Sequence, residues 1–355
     1  MKKYFLLIVS IFLILSLFAG CTKEEKKSSG SVNIYAYDSF CGKYGPGQAI
    51  AAGFTEKTGI TVNYINCSDG VQALSKAIAD KDNPLADIVL GFDNSLASRA
   101  VNSGIFESYL PEKAADLIDA SLIKAIPKNA LQVSSESPTE SEEIFMTPFD
   151  YGFFTIIYDT QSNIAKPESI KDLTKDIYRK KLIIMDPLTS TPGLGFVTWV
   201  SSVLDSTSYA DYFKALKANV LTLAPSWSTG YGMFTNGEAP LVISYTTSAA
   251  YHVEYESSNR YQALIFDEGH VSQIEYAGLL KNAANKDNAK KFLDYLISDD
   301  AQKEIPLTQW MYPVNKNVSL PDSYKQASPL PAKVLPSESV KTQTALESFL
   351  AVFGK

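Results

Sequence analysis

An α/β fold with parallel strands is predicted for this chain by three observations. Short β-branched and aromatic runs alternate with runs of helical period, Gly and polar turns separate them, and the chain is long enough for two cores. The first strand is "VNIYAY", Val32 to Tyr37. A helix follows over "QAIAAGFTEKTG", where Ile50 and Phe54 stand four apart and Gly59 is the stop. "TVNYIN" is the second strand, and "DGVQALSKAIAD" places Val71, Leu74 and Ile78 on one helical face. "ADIVLG", Ala86 to Gly91, reads as a short buried strand before the helix-like "NSLASRAVNSG". Strand, helix, strand, helix, strand implies parallel pairing with right-handed crossovers, and the loops after such strands gather at one ligand-binding edge.

The segment Gln132 to Glu143 is polar and acidic and reads as a surface loop. "FFTIIYD" (Phe153 to Asp159), "KLIIMD" (Lys181 to Asp186) and "APLVISYTTS" resume the strand pattern. "NAKKFLDYLIS" sets Phe292, Leu296 and Ile297 along a helix, and no internal repeat is visible. The expected partition is a first lobe of residues 32–150 plus 269–355 and a second lobe of residues 151–268.

Lys2 and Lys3 precede an apolar run from Tyr4 to Phe18, which has the length of a signal-peptide core and is short for a membrane span. Ala19 and Gly20 directly before Cys21 resemble the bacterial lipobox, although Phe18 stands where Leu is more usual. Residues 1–20 are therefore expected to be a lipoprotein signal peptide, with Cys21 lipidated; a plain secretory signal and a transmembrane anchor are the alternatives. Residues 21–31 carry charge, Ser and Gly and should form a flexible tether. That arrangement puts the folded part in the cell envelope, on the outer face of the cytoplasmic membrane.

The net charge of −7 becomes −9 once Lys2 and Lys3 leave with the leader. An acidic balance of this kind argues against nucleic acid as a partner and against anions held by bulk charge. Twenty Tyr, eighteen Phe and three Trp supply the faces that hold rings and delocalised cations, though many of them will be core. Beyond Cys21 only Cys41 and Cys67 remain, each just past a predicted strand. Adjacent strands would bring those ends together, so a Cys41–Cys67 disulfide is expected, with a catalytic thiol as the alternative.

Between a strand and a helix lies "DPLTSTPGLGF", Asp186 to Phe196. Ser190 or Thr191 can cap a helix whose first position is Pro192. The same free N–H groups and hydroxyls also make an anion site that needs no basic side chain. Catalytic patterns are absent: there is no HExxH, CxxC, GxSxG or Walker loop. His252 and His270 are expected to be structural hydrogen-bonders, with no metal site, no cofactor and no catalytic residue.

The strings "YAYDSF", "YGPG", "SDGV", "ADIVLGFDN", "PFDYGFFTIIYD", "DPLTSTPGLG", "SWSTGYGMF", "SYTTSAAYH", "DEGH" and "WMYPV" follow one another in an order and spacing that resemble the thiamine-binding proteins of bacterial ABC importers. The resemblance runs from Asn33 to Val314. It implies a type II periplasmic-binding-protein fold, in which two α/β lobes joined by two hinge crossings close a cleft on thiamine, thiamine monophosphate or thiamine diphosphate. It also implies a monomer that delivers its ligand to ABC permease and ATPase subunits.

Carried over motif by motif, the resemblance assigns ligand contacts to Asp69 and Gly70 of "SDGV" and to Ser190 and Thr191 of "TSTPG". It adds Trp227 of "SWSTGYG", Tyr245, Thr246, Thr247 and Ser248 of "SYTTS", and Tyr251 and Trp310 as further aromatic wall. Tyr44 stands where the family often has Trp, and Ala249 where Pro is common. Asp38 is a further candidate acceptor, and equally a capping or hinge acid. Thiamine joins a cationic thiazolium to a flat aminopyrimidine, so aromatic faces and acceptors suit it, and a cleft without Lys avoids repelling it. Two other readings stay open: a thiaminase-type enzyme on the same fold, with Cys41 or Cys67 as nucleophile, and a binding protein for another ligand such as a metal or polyamine.

Overall fold

The computed structural model describes residues 30–126 and 144–354. The leader, Cys21, most of the expected tether and the acidic segment 132–143 lie outside the described residues. Among the described residues, eleven strands form the framework. They are β1 (Ser31–Ala36), β2 (Thr61–Asn66), β3 (Ile88–Asp93), β4 (Thr147–Asp159), β5 (Leu182–Met185), β6 (Val220–Ala224), β7 (Leu241–Tyr245), β8 (Tyr261–Ala263), β9 (His270–Leu279), β10 (Tyr312–Pro313) and β11 (Val334–Leu335).

In space the main strands run β2, β1, β3, β9, β4, β7, β5, β6. β1 pairs in parallel with β2 and β3, and helices Gly47–Thr58 and Gly70–Ala79 make the crossovers, as the alternating pattern predicts. β5 lies in parallel between β6 and β7. β3, β5 and β7 are buried along their whole length and are largely apolar, the mark of strands covered on both faces.

β4 is long because it serves both halves. Its residues 147–153 pair with β9, and from Phe154 onward it pairs with β7 instead. The long strands β4 and β9 therefore carry the chain between two α/β halves. Helix Thr191–Val203 is buried on every side except at its last two residues, which explains why it shows little amphipathic pattern. Trp199 on it stacks on His270 at 4.7 Å and donates its indole N–H to the Gly269 carbonyl at 2.8 Å.

Two expectations need correction. The disulfide does not form: Cys41 and Cys67 are free, buried thiols. β1 and β2 are indeed neighbours, but Cys41 belongs to the hydrophobic cluster that holds Ile34, Ala36 and Leu90, whereas Cys67 belongs to the one that holds Tyr35, Val71 and Val89. Cys41 closes the short helix Asp38–Cys41 and Cys67 directly follows β2, so the two thiols enter different hydrophobic layers. The chain end also departs from the expected return of residues 269–355 to the first lobe. Helix Ser339–Phe353 lies instead against helices Thr191–Val203 and Tyr209–Lys217, with Phe349 edge-on to Phe213 and the Lys217 ammonium donating to the Val352 carbonyl.

Candidate functional site

A pocket opens between the halves, where β1 and β3 end and the helices at Gly70, Thr191 and Trp227 begin. Of the residues expected to bind ligand, Asp38, Asp69, Gly70, Thr191, Trp227, Tyr245, Ser248 and Trp310 line it. Trp227 is the first residue of its helix, which Ser226 caps by accepting the Thr229 N–H. Its indole N–H donates to the Ser244 hydroxyl at 2.8 Å and its ring stacks on Tyr231 at 5.0 Å. Trp310 sits in the left-handed region at φ 60, between Tyr324, which it stacks on, and the edges of Tyr251 and Tyr255.

The other expected residues lie elsewhere. Thr246 and Thr247 are buried beneath the turn, where the Thr247 hydroxyl donates to the Trp310 carbonyl. Tyr251 stands behind Trp310, 38% exposed. Tyr44 is 82% exposed, with the Lys43 ammonium over its ring, and takes no part in the pocket.

The Ser190–Thr191 turn does hold a carboxylate, and it is the protein's own. The Thr191 N–H donates to Asp69 Oδ1 at 2.8 Å. Ser190 makes no capping bond with its side chain; its buried hydroxyl lies near Asp69 without completing a hydrogen bond. Burial raises the Asp69 carboxyl to about 6 despite the help of the Thr191 N–H. A second bridge joins the halves nearby, from the Ser228 hydroxyl to Asp38 Oδ1 at 2.9 Å.

Sequence reasoning missed the pocket floor. Tyr37, Gln309 and Glu275 line it, and the Tyr37 hydroxyl donates to Glu275 while accepting from the Gln309 amide. Gln273 donates to Glu275 Oε1 at 2.6 Å and accepts from the Tyr245 hydroxyl at 2.8 Å. A signal was present: Glu275 is the one acid in a strand of buried pattern, and a buried charge has to be accounted for. None of the described residues lining the pocket is Lys, Arg or His.

The histidines are tied into the framework. His270 accepts the Phe266 N–H at 2.8 Å and faces the Phe154 carbonyl at 2.8 Å, while His252 lies between Tyr231 at 3.0 Å and Glu256 at 2.7 Å. Burial lowers both imidazoles below their ordinary range. It pushes the Cys41 thiol up to about 11 and raises Cys67 as well, the opposite of what an attacking thiolate needs. Among the described residues no group of His, Cys, Asp and Glu is arranged to hold a metal ion, and no helix is long and apolar enough to cross a membrane.

Comparison with known proteins matches residues 49–332 to the family described as bacterial extracellular solute-binding protein. The thiamine-binding periplasmic protein of Brucella melitensis is 37% identical over 336 residues, 94% of this chain and 93% of that protein. The thiamine-binding periplasmic protein of Escherichia coli is 34% identical over 295 residues, 83% of this chain and 84% of that one. Among solved structures, a periplasmic thiamin binding protein superposes with a TM-score of 0.81 at 30% identity, covering 95% of this chain and all of its own, 100%.

Proposed function

The chain belongs to the family of bacterial extracellular solute-binding proteins, and on that premise we propose that it captures thiamine or a thiamine phosphate in the cleft between its halves and delivers it to the permease and ATPase subunits of an ABC importer. One observation carries this reading. The pocket sets the aromatic rings of Trp227, Tyr245 and Trp310 among the carboxylates of Asp38, Asp69 and Glu275, with no basic side chain in its lining. That combination suits a flat ring joined to a delocalised cation. The relatives named as thiamine-binding support the same ligand. As a family member the protein is a binder rather than an enzyme, and its described thiols are buried and hard to ionise. Calorimetric titration with thiamine tests the proposal directly. Intact vitamin recovered from the denatured complex supports a carrier; a cleaved pyrimidine product, or no binding, overturns it.

The tail of the ligand is assigned to the turn at Ser190. The Ser190 hydroxyl is buried without a completed hydrogen bond, so a donor is available beside the Thr191 N–H if the ligand's tail displaces Asp69. Ser190→Ala should weaken thiamine diphosphate by on the order of 10-fold or more, the worth of a hydrogen bond to a charged group, and thiamine much less. Equal losses for both ligands in parallel titrations would remove the turn from the binding site.

Anchoring is assigned to Cys21, placing the protein on the outer face of the cytoplasmic membrane with its folded part in the periplasm or at the cell exterior. Cys21→Ala should move the protein from the membrane to the soluble fraction with thiamine binding unchanged. Fractionation that leaves the processed variant on membranes would refute the lipid anchor.

A further inference from the structure

Beneath the pocket, three acids stand side by side on three neighbouring strands. Asp93 of β3 is the direct cross-strand partner of Glu275 of β9, and Glu275 is the partner of Asp150 of β4. Opposed residues in a sheet hold their Cβ atoms roughly 5 Å apart, where like charges repel. A register shift lies just before the acid on each flanking strand, between Leu90 and Phe92 one pair ahead of Asp93 and between Pro148 and Asp150. Bulges of this kind re-aim side chains next to functional sites.

All three acids are buried. Asp93 Oδ1 accepts the Ser95 and Leu96 N–H groups, while its Oδ2 and both oxygens of Asp150 lack a donor. The groups facing Glu275 come from every element packed around it. Tyr37 follows β1, Asp93 is on β3, Asp150 on β4, Tyr245 on β7, Asp69 precedes the helix at Gly70, and the neutral Gln309 reaches Tyr37. None of these is cationic. Of the three acids only Glu275 lines the pocket, so a positive charge bound there meets the ladder through Glu275.

We propose that Asp150 and Glu275 share one proton and exchange it for the positive charge of the ligand, so that a cation binds with proton release and a neutral isostere does not. This rests on the thiamine reading above. The charge balances: one cation enters, one proton passes to solvent, and the pair is left fully ionised against the cation. Two carboxyls buried in contact cannot both ionise unaided, and the proton belongs to the pair rather than to either residue. Burial, then the opposed Asp150, holds Glu275 well above the carboxylate range; burial does the same to Asp150 and brings Asp93 to about 7.

Two measurements test the exchange. The infrared spectrum of the ligand-free protein at neutral pH should contain the carbonyl stretch of a protonated carboxylic acid that Asp150→Asn removes or shifts. Calorimetry with thiamine in buffers of different ionisation enthalpy should give release of about one proton, and the neutral thiophene isostere of thiamine should give none. Glu275→Gln should abolish the release and narrow the preference for thiamine over the isostere by on the order of 10-fold. Absence of the acid band overturns the inference whatever binds, as does thiamine binding without proton release. If the band is present and thiamine fails to bind, the thiamine reading falls while the shared proton stands.

Discussion

Replacing Trp227 with Leu should raise the dissociation constant for thiamine about 30-fold, the equivalent of about 2 kcal/mol for a desolvated cation–π contact. The ring is held before any ligand arrives. Its N–H is tied to Ser244, and it is backed by Tyr231, whose hydroxyl is fixed in turn by His252. A ring already immobilised loses little freedom on binding, so most of its attraction for a cation reaches the measured affinity. Leu keeps an apolar surface and removes the large π-face. Ser244 loses the indole donor but keeps its hydrogen bond with Ser248 at 2.7 Å, so the substitution leaves no buried hydroxyl orphaned. Calorimetry should show thiamine losing far more than a neutral isostere of the same shape. Unchanged thiamine affinity would remove Trp227 from the cation site.

Gly91→Ala should destabilise the fold strongly. Gly91 lies in β3 at φ +99, a conformation that side-chain-bearing residues rarely adopt, and a Cβ there would stand 2.0 Å from the Tyr37 ring. Tyr37 cannot easily withdraw, because Glu275 and Gln309 both hold its hydroxyl. Backbone strain and overpacking each cost about 1–3 kcal/mol, so a combined loss of about 3 kcal/mol or more is expected in urea unfolding. Gly104→Ala is the control: its φ is +68 but its Cβ would meet open space, so only the strain should be lost. If the two variants fall equally, the contact with Tyr37 contributes nothing. Because Tyr37 lies on the pocket floor, Gly91→Ala should also weaken binding wherever the protein remains folded.

Much of this architecture is written locally in the chain. Alternating strand and helix periods in residues 32–104 determined three parallel strands and their crossovers, because face preference repeats every two residues in a strand and about every 3.6 in a helix. The family resemblance carried by the "SDGV", "SWSTGYG" and "SYTTS" strings singled out Asp69, Gly70, Trp227, Tyr245 and Ser248, all of which line the pocket. Local pattern also carried the resemblance that named the ligand class.

Tertiary structure decided what depends on which segments become neighbours. Strand periodicity states which residues share a face but not which strand lies alongside, so Asp93, Asp150 and Glu275 meet only through the order β3, β9, β4. The same long-range choice sent Cys41 and Cys67 into different layers and laid the last helix against Thr191–Val203. It also filled the donor at Thr191 with Asp69, a residue 122 positions away. A helix start supplies an anion-binding N–H wherever it occurs, but the carboxylate that reaches it is chosen by how two distant segments pack.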